Sequence, residues 1–149
     1  MSENTEKNRA KTFIFPVRVY WEDTDGGGIV YYANYLRFLE RARTEWLRSF
    51  DFIQSQLARD PGIVFAVRSV QVDYHRPARL DDELLITCAL EDRGAASLSF
   101  AQRVLRGEEL LVSARVRIAC LDAATLRPAP LPEVLLNVLP QLNATPKES

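Results

Sequence analysis

The sequence predicts an α+β domain in which one long helix lies against a five-stranded antiparallel sheet. Apolar residues alternate with polar ones in five separate runs, the period of a half-buried strand. A single run, about residues 33–50, repeats at spacings of three and four, the period of an amphipathic helix. The strands after that helix are joined mostly by short turns, which implies antiparallel neighbours, and the resulting helix-on-sheet layering is a stable architecture.

The first strand is expected over residues 13–21, with Phe13, Phe15, Val17, Val19 and Trp21 on one face. Glu22 to Gly28 then reads as a turn. Its three consecutive glycines, Gly26, Gly27 and Gly28, permit backbone conformations closed to other residues and leave room for a ligand to reach the main chain. The helix follows, with Tyr35, Leu36, Leu39, Ala42, Trp46, Leu47 and Phe50 on its apolar stripe, Asn34 as its N-cap and Arg41 paired with Glu45 on its outer side. Beyond Pro61-Gly62 the period returns to two. Strands are expected at 63–74, 84–91, 97–105 and 110–121, with Arg76 to Asp82 as a connection. The proline-rich stretch 127–132 cannot form a regular helix or a central strand, and a short helix is expected at 133–142. One domain spans residues 13–142, between a flexible N-terminus, 1–12, and a flexible tail, 143–149.

Composition narrows the function. The 149 residues fit one domain with a real core. With 19 basic and 20 acidic side chains the net charge is −1, and no long basic run marks a nucleic-acid partner. No signal-peptide core and no membrane-length apolar run is present, so the expected compartment is the cytoplasm. Cys88 and Cys120 are isolated in strand-like runs and read as small buried hydrophobes. The one histidine, His75, reads as a solvated loop residue. A zinc set, a Ser-His-Asp site and a phosphate loop all lack their residues, so no metal and no cofactor is expected. Carboxylates remain. Asp23 and Asp25 sit in the glycine-rich turn just ahead of the helix, where the helix N-terminus favours negative charge. The plainer reading is that such aspartates serve the backbone of the turn.

The wider string weighs against that plainer reading. From Val17 to Arg43, with Asp23-Thr24-Asp25-Gly26-Gly27-Gly28-Ile29-Val30 at its centre and Asn34-Tyr35 beyond, the sequence resembles the signature of the 4-hydroxybenzoyl-CoA thioesterase family. Within that family it is most similar to the acyl-CoA thioesterases associated with the bacterial Tol–Pal system. The likeness continues through Tyr74-His75-Arg76-Pro77-Ala78-Arg79-Leu80-Asp81-Asp82 and covers roughly residues 17–132. It implies the hotdog fold, a long helix wrapped by an antiparallel sheet, in a homodimer that often pairs into a homotetramer with active sites at the subunit interface. It implies hydrolysis of an acyl-CoA, coenzyme A being part of the substrate, with Asp25 catalytic as nucleophile or general base. Asp23 braces the turn.

The same likeness makes the main chain near Tyr32, at the helix start, the expected partner of the carbonyl oxygen. The Tol–Pal-associated members typically carry histidine at that position, whereas the hydroxybenzoyl enzymes resemble this chain in having tyrosine. Arg76, Arg79 and Arg93 are candidates for the phosphates of coenzyme A, and Glu40 is a weaker candidate to approach the site across the dimer. Two other readings compete. A hotdog dehydratase would need a histidine near the helix start, which this chain lacks. A protein that binds acyl carrier protein or an envelope complex without turnover would not need Asp25.

Overall fold

Residues 12–139 are described in the computed structural model of the protein. The elements run β1 (Phe13–Arg18), α1 (Tyr35–Arg48), α2 (Gln54–Arg59), β2 (Ile63–Tyr74), β3 (Glu83–Arg93), β4 (Ser97–Arg106), β5 (Glu109–Asp122) and α3 (Glu133–Leu136). The sheet order is β1-β3-β4-β5-β2, and every neighbouring pair is antiparallel. Strands β3, β4 and β5 form a meander, and β1 and β2 are the edges. One long helix on a five-stranded antiparallel sheet is the hotdog arrangement the sequence implied.

Residues directly opposite on antiparallel strands share a face, so the register defines the inner surface. Val104 lies opposite Val112, which lies opposite Tyr74; Phe100, Val116 and Val70 form the next such row but one. Helix α1 covers this face through Tyr35, Phe38, Leu39, Ala42, Trp46 and Leu47. The Trp46 ring meets Phe100 edge-on with centroids 5.0 Å apart. Phe38, Leu39 and Phe100 are almost wholly buried, and burial of each side chain stabilises by roughly 1.5–3 kcal/mol. Gln102, buried among them, donates from Nε2 to the carbonyls of Leu39 (3.1 Å) and Thr87 (3.3 Å). That amide leaves no polar orphan and ties helix to sheet.

Several expectations are corrected. Strand β1 stops at Arg18, because the chain turns immediately afterwards. The Asp23 carboxylate accepts the Tyr20 N–H at 2.8 Å, Asp23 N–H donates to the Tyr20 carbonyl at 2.9 Å, and Trp21 to Asp23 form a single 3-10 turn. Trp21, expected on the inner face, is consequently 65% exposed. Asn34 holds the N-cap position of α1 as expected, but another 3-10 turn from Tyr32 precedes the helix, so Asn34 is already helical and its side chain makes no cap bond. On α1 the buried seam uses Phe38, and Leu36 faces outward. Glu45 pairs with Arg48 at 3.4 Å instead of Arg41.

Helix α2 has only Leu57 fully buried and gave no periodic signal. The C-terminal helix ends at Leu136, well short of 142. Residues 140–142 of that expected helix, residues 1–11 and the tail 143–149 lie outside the described residues. Strand β2 also carries a bulge: Val67 faces Ile118 and Ser69 faces Arg117, so Arg68 is an extra residue. The bulge resets the alternation, placing Val70, Val72 and Tyr74 on the same face as Ile63, Phe65 and Val67.

Candidate active site

The segment between β1 and α1 folds as a narrow hairpin. Thr24 bridges Val30, Asp25 N–H donates to the Ile29 carbonyl at 3.0 Å, and Tyr31 N–H donates to the Asp23 carbonyl at 3.0 Å. Gly26 and Gly28 have φ of 89° and 90°, a left-handed region that costs other residues roughly 1–2 kcal/mol. The tip therefore depends on glycine.

The two aspartates of the motif have separate surroundings. Asp23 is 6% exposed. Its Oδ2 accepts the Tyr20 N–H (2.8 Å) and its Oδ1 accepts the Asn34 side-chain amide (2.9 Å), which joins the strand end to the helix start. Asp25 is exposed at the tip, with Oδ1 accepting the Gly27 N–H at 2.7 Å. A Cβ on Gly27 would approach that same oxygen to 3.2 Å. Among the described residues no partner is found for Oδ2 of Asp25, so that oxygen is available to a ligand.

The start of the helical run lies beside this loop. The N–H groups of Tyr32 and Ala33 have no carbonyl a turn earlier within the run to receive them. Around them stands a cluster of tyrosines. The Tyr74 hydroxyl donates to the Tyr32 carbonyl at 3.2 Å, and the Tyr32 and Tyr74 rings meet edge-on at 6.2 Å. Tyr35 accepts the Ala78 N–H at 2.9 Å. Burial raises the Tyr35 phenol above its ordinary pKa, opposed by that bond from Ala78; it is a neutral structural hydroxyl at physiological pH.

The 76–82 connection completes the cluster. Val30 N–H donates to the Ala78 carbonyl at 2.9 Å and Leu80 N–H to the Gly28 carbonyl at 3.0 Å. Arg79 is brought next to the glycine loop by its bridge to Ile29, and no protein partner is found for its guanidinium among the described residues. Arg76 also belongs here, but its guanidinium pairs with Glu109 at 3.2 Å. Arg93 sits at the far end of β3, ten residues from Glu83, roughly 33 Å along a strand. Within one chain it is not part of the cluster.

Glu40 lies on the flank of α1, accepts the Thr44 hydroxyl at 2.6 Å, and borders a separate cleft of about 160 Å³ walled by Trp46, Phe65 and Phe100. A concavity of about 610 Å³ lies on the outer sheet face around Asp73, Glu91, Arg103 and Arg115, and no residue of the Asp25 loop lines it. Cys88 and Cys120 are buried and free, as read from the sequence. His75 is exposed, with Nε2 3.0 Å from the Ser113 hydroxyl. Among the described residues no cluster of three or more His, Cys, Asp or Glu side chains is suited to hold a metal ion, and no helix is long and apolar enough to cross a membrane.

Sequence reading missed Arg106, which holds the 76–82 connection through Asp82 at 2.7 Å. Its partner lies 24 residues away, and no local pattern announces such a pair.

Known proteins share this arrangement. The acyl-CoA thioesterase YbgC of Haemophilus influenzae is 43% identical over 121 residues, which are 81% of this chain and 89% of that protein. The acyl-CoA thioester hydrolase YbgC of Escherichia coli is 44% identical over 125 residues, 83% and 92% of the two chains. Among solved structures, a probable thioesterase from Bartonella henselae superposes with a TM-score of 0.78 at 38% identity, covering 81% of this chain and 99% of the other. A 1,4-dihydroxy-2-naphthoyl-CoA thioesterase from Synechocystis gives 0.76 at 26% identity, covering 82% and 90%. The model of the thioesterase-like superfamily matches residues 19–139, a span that holds the hairpin, the helix and the whole meander, and this chain belongs to that superfamily.

Proposed function

We propose that this protein hydrolyses acyl-CoA thioesters to a free acid and coenzyme A, with the Asp25 carboxylate acting at the reacting carbonyl. The observation that carries the reading is the pairing of an unpartnered Asp25 oxygen with the open N–H groups at the start of the helical run. As nucleophile, Oδ2 adds to the thioester carbon and the carbonyl oxygen becomes an oxyanion. Donors at a helix start suit that charge. Collapse expels the coenzyme A thiolate, which takes a proton from water, and a second water cleaves the mixed anhydride. As general base, the same oxygen takes the proton of an attacking water. Gly26, Gly27 and Gly28 leave the acyl group room beside the main chain, and Tyr32 contributes its N–H.

In this reading coenzyme A is substrate and no cofactor is needed. Arg79 is the best placed of the three arginines for its phosphates. Arg76 must first leave Glu109, and Arg93 serves only through a neighbouring subunit. The free edge of β2 supports a homodimer: Val67 is 54% and Val70 41% exposed on a twelve-residue edge strand, and a second copy pairing there would join two sheets and cover both. Two such dimers make the homotetramer we infer from the family. Acyl carrier protein is a second carrier to test, and the Tol–Pal association of similar proteins is carried over as part of this proposal. We place the enzyme in the cytoplasm, because its nucleotide-bearing substrate is too highly charged to cross a membrane unaided.

Thiol release over a panel of short, medium, long and aromatic acyl-CoAs tests the reading. Asp25→Asn is expected to lower turnover by about 10²-fold or more with an unchanged melting temperature. Wild-type turnover in that variant would overturn the aspartate mechanism.

A further inference from the structure

We propose that Arg106 is a positioning residue of this site, holding the Asp25 loop in register through the 76–82 connection; the inference rests on the proposed reaction. Arg106 ends β4 and its guanidinium reaches both ends of that connection. Nη1 donates to Asp82 Oδ2 at 2.7 Å and to the Pro77 carbonyl at 3.4 Å. Nε and Nη2 donate to Glu109 Oε1 at 3.2 and 2.9 Å, while Glu109 Oε2 takes Arg76 at 3.2 Å. One planar fork therefore grips Asp82 directly and Arg76 through Glu109. The bond to Asp82, then the bond to Glu109, raises the guanidinium pKa, and the Arg106 bond holds the Glu109 carboxyl below its usual range.

Between those two ends the connection carries the Asp25 loop. Ala78 receives the Val30 N–H and Leu80 donates to Gly28, at 2.9 and 3.0 Å. Tyr35 holds its middle through the Ala78 N–H (2.9 Å), and Arg18 supports its far end through the Asp81 carbonyl (2.8 Å). The main chain also holds the two ends, Arg76 N–H donating to the Leu111 carbonyl at 3.1 Å and Val19 N–H to the Asp82 carbonyl at 2.9 Å. Arg106 is the side chain that joins one end to the other, and no bond from it to Asp25 is found among the described residues. The reaction needs the Asp25 oxygen and the helix-start N–H groups to meet one carbonyl together, a constellation with a tolerance of about 0.5 Å. Displacement of about 1 Å by a change far from the chemistry can cost on the order of 10²-fold in rate. A loosened connection therefore lowers kcat first, with only a small rise in KM from the Arg79 carried on it.

The test compares Arg106→Met and Arg106→Lys with wild type, using Arg115→Met as a control that breaks the Arg115–Glu91 pair (3.4 Å) on the outer face. Arg106→Met is expected to lower kcat about 10-fold with KM within about 2-fold, and to speed hydrogen exchange of the Val30 and Leu80 amides by a similar factor. Arg106→Lys keeps the charge but loses the fork and should recover part of the loss. If Arg106→Met does not fold, Arg106→Lys against wild type reads the same quantities. Unchanged kcat and exchange, a kcat loss reproduced by Arg115→Met, or a rise in KM alone would overturn the role. If wild type released no thiol from any acyl-CoA, the proposed reaction would fall, and exchange at Val30 and Leu80 would still decide whether Arg106 holds the loop.

Discussion

The two halves of the inner sheet face are equally apolar and differently covered. On β3 and β4, Leu84, Ile86, Cys88, Leu98, Phe100 and Val104 lie buried under α1. On β2, beyond β5, the same face presents Val67, Val70 and Tyr74 to solvent. Apolar alternation thus reports which way a side chain points, whereas coverage depends on what lies above it. The first half is closed by the chain's own helix. The second ends in an unpaired strand edge and suits a surface that another subunit completes.

That contrast can be broken at three places. The largest effect is expected from Phe100→Ala, which empties the contact beneath Trp46. Chemical denaturation should show a loss of about 3–5 kcal/mol, and a loss under about 1 kcal/mol would mean that the covered half is not the stabilising core. Val70→Asp places a charge on the open half. It should change the stability of the isolated chain by less than about 1 kcal/mol while sedimentation shows dimers giving way to monomers. A fully dimeric variant would remove β2 from the interface.

The smallest effect separates the two thiols. Burial pushes the Cys88 thiol under the helix up to about 12, and it raises Cys120, on β5, above its ordinary value as well. At pH 9 a thiol reagent on the native protein should label Cys120 before Cys88, since the nucleophile is the thiolate. The opposite order would show that the helix opens more readily than the sheet around β5.

The division also explains what the sequence could convey. Alternation located β3, β4 and β5 to within two residues, because each buries one face fully and little else competes. The helix was legible from its three-four spacing, yet Leu36 and Phe38 changed places, since both lie near the margin of the stripe and only the crossing over the sheet selects between them. Trp21 continued the alternation of β1 past the strand's true end, and only the Asp23 carboxylate reaching back to Tyr20 N–H shows why the chain turns there. Helix α2 is short and mostly polar and had no period to detect. At the proposed site, Asp25, the glycines and Tyr32 were named through the family likeness of their local string. The distribution of the arginines was not legible: Arg76 engaged by Glu109, Arg79 with no guanidinium partner among the described residues, Arg93 at the opposite end of β3 and Arg106 in the supporting network are all consequences of strand register.

The bulge at Arg68 lets β2 carry one residue more than its partner strand. Strand parity beyond it depends on the bulge absorbing that residue. Deleting Arg68 would restore an unbroken ladder, with Val70, Val72 and Tyr74 keeping their partners on β5 and their face. Straightening the strand with Arg68 retained would instead turn them to the outer face and bring Ser69, Gln71 and Asp73 inward. Loss of the bulge without loss of the residue would equal a block of simultaneous polar-for-apolar exchanges, and it would also withdraw the Tyr74 hydroxyl from the Tyr32 carbonyl. Drift along this edge can therefore drop the extra residue and the bulge together, but it cannot lose the bulge alone.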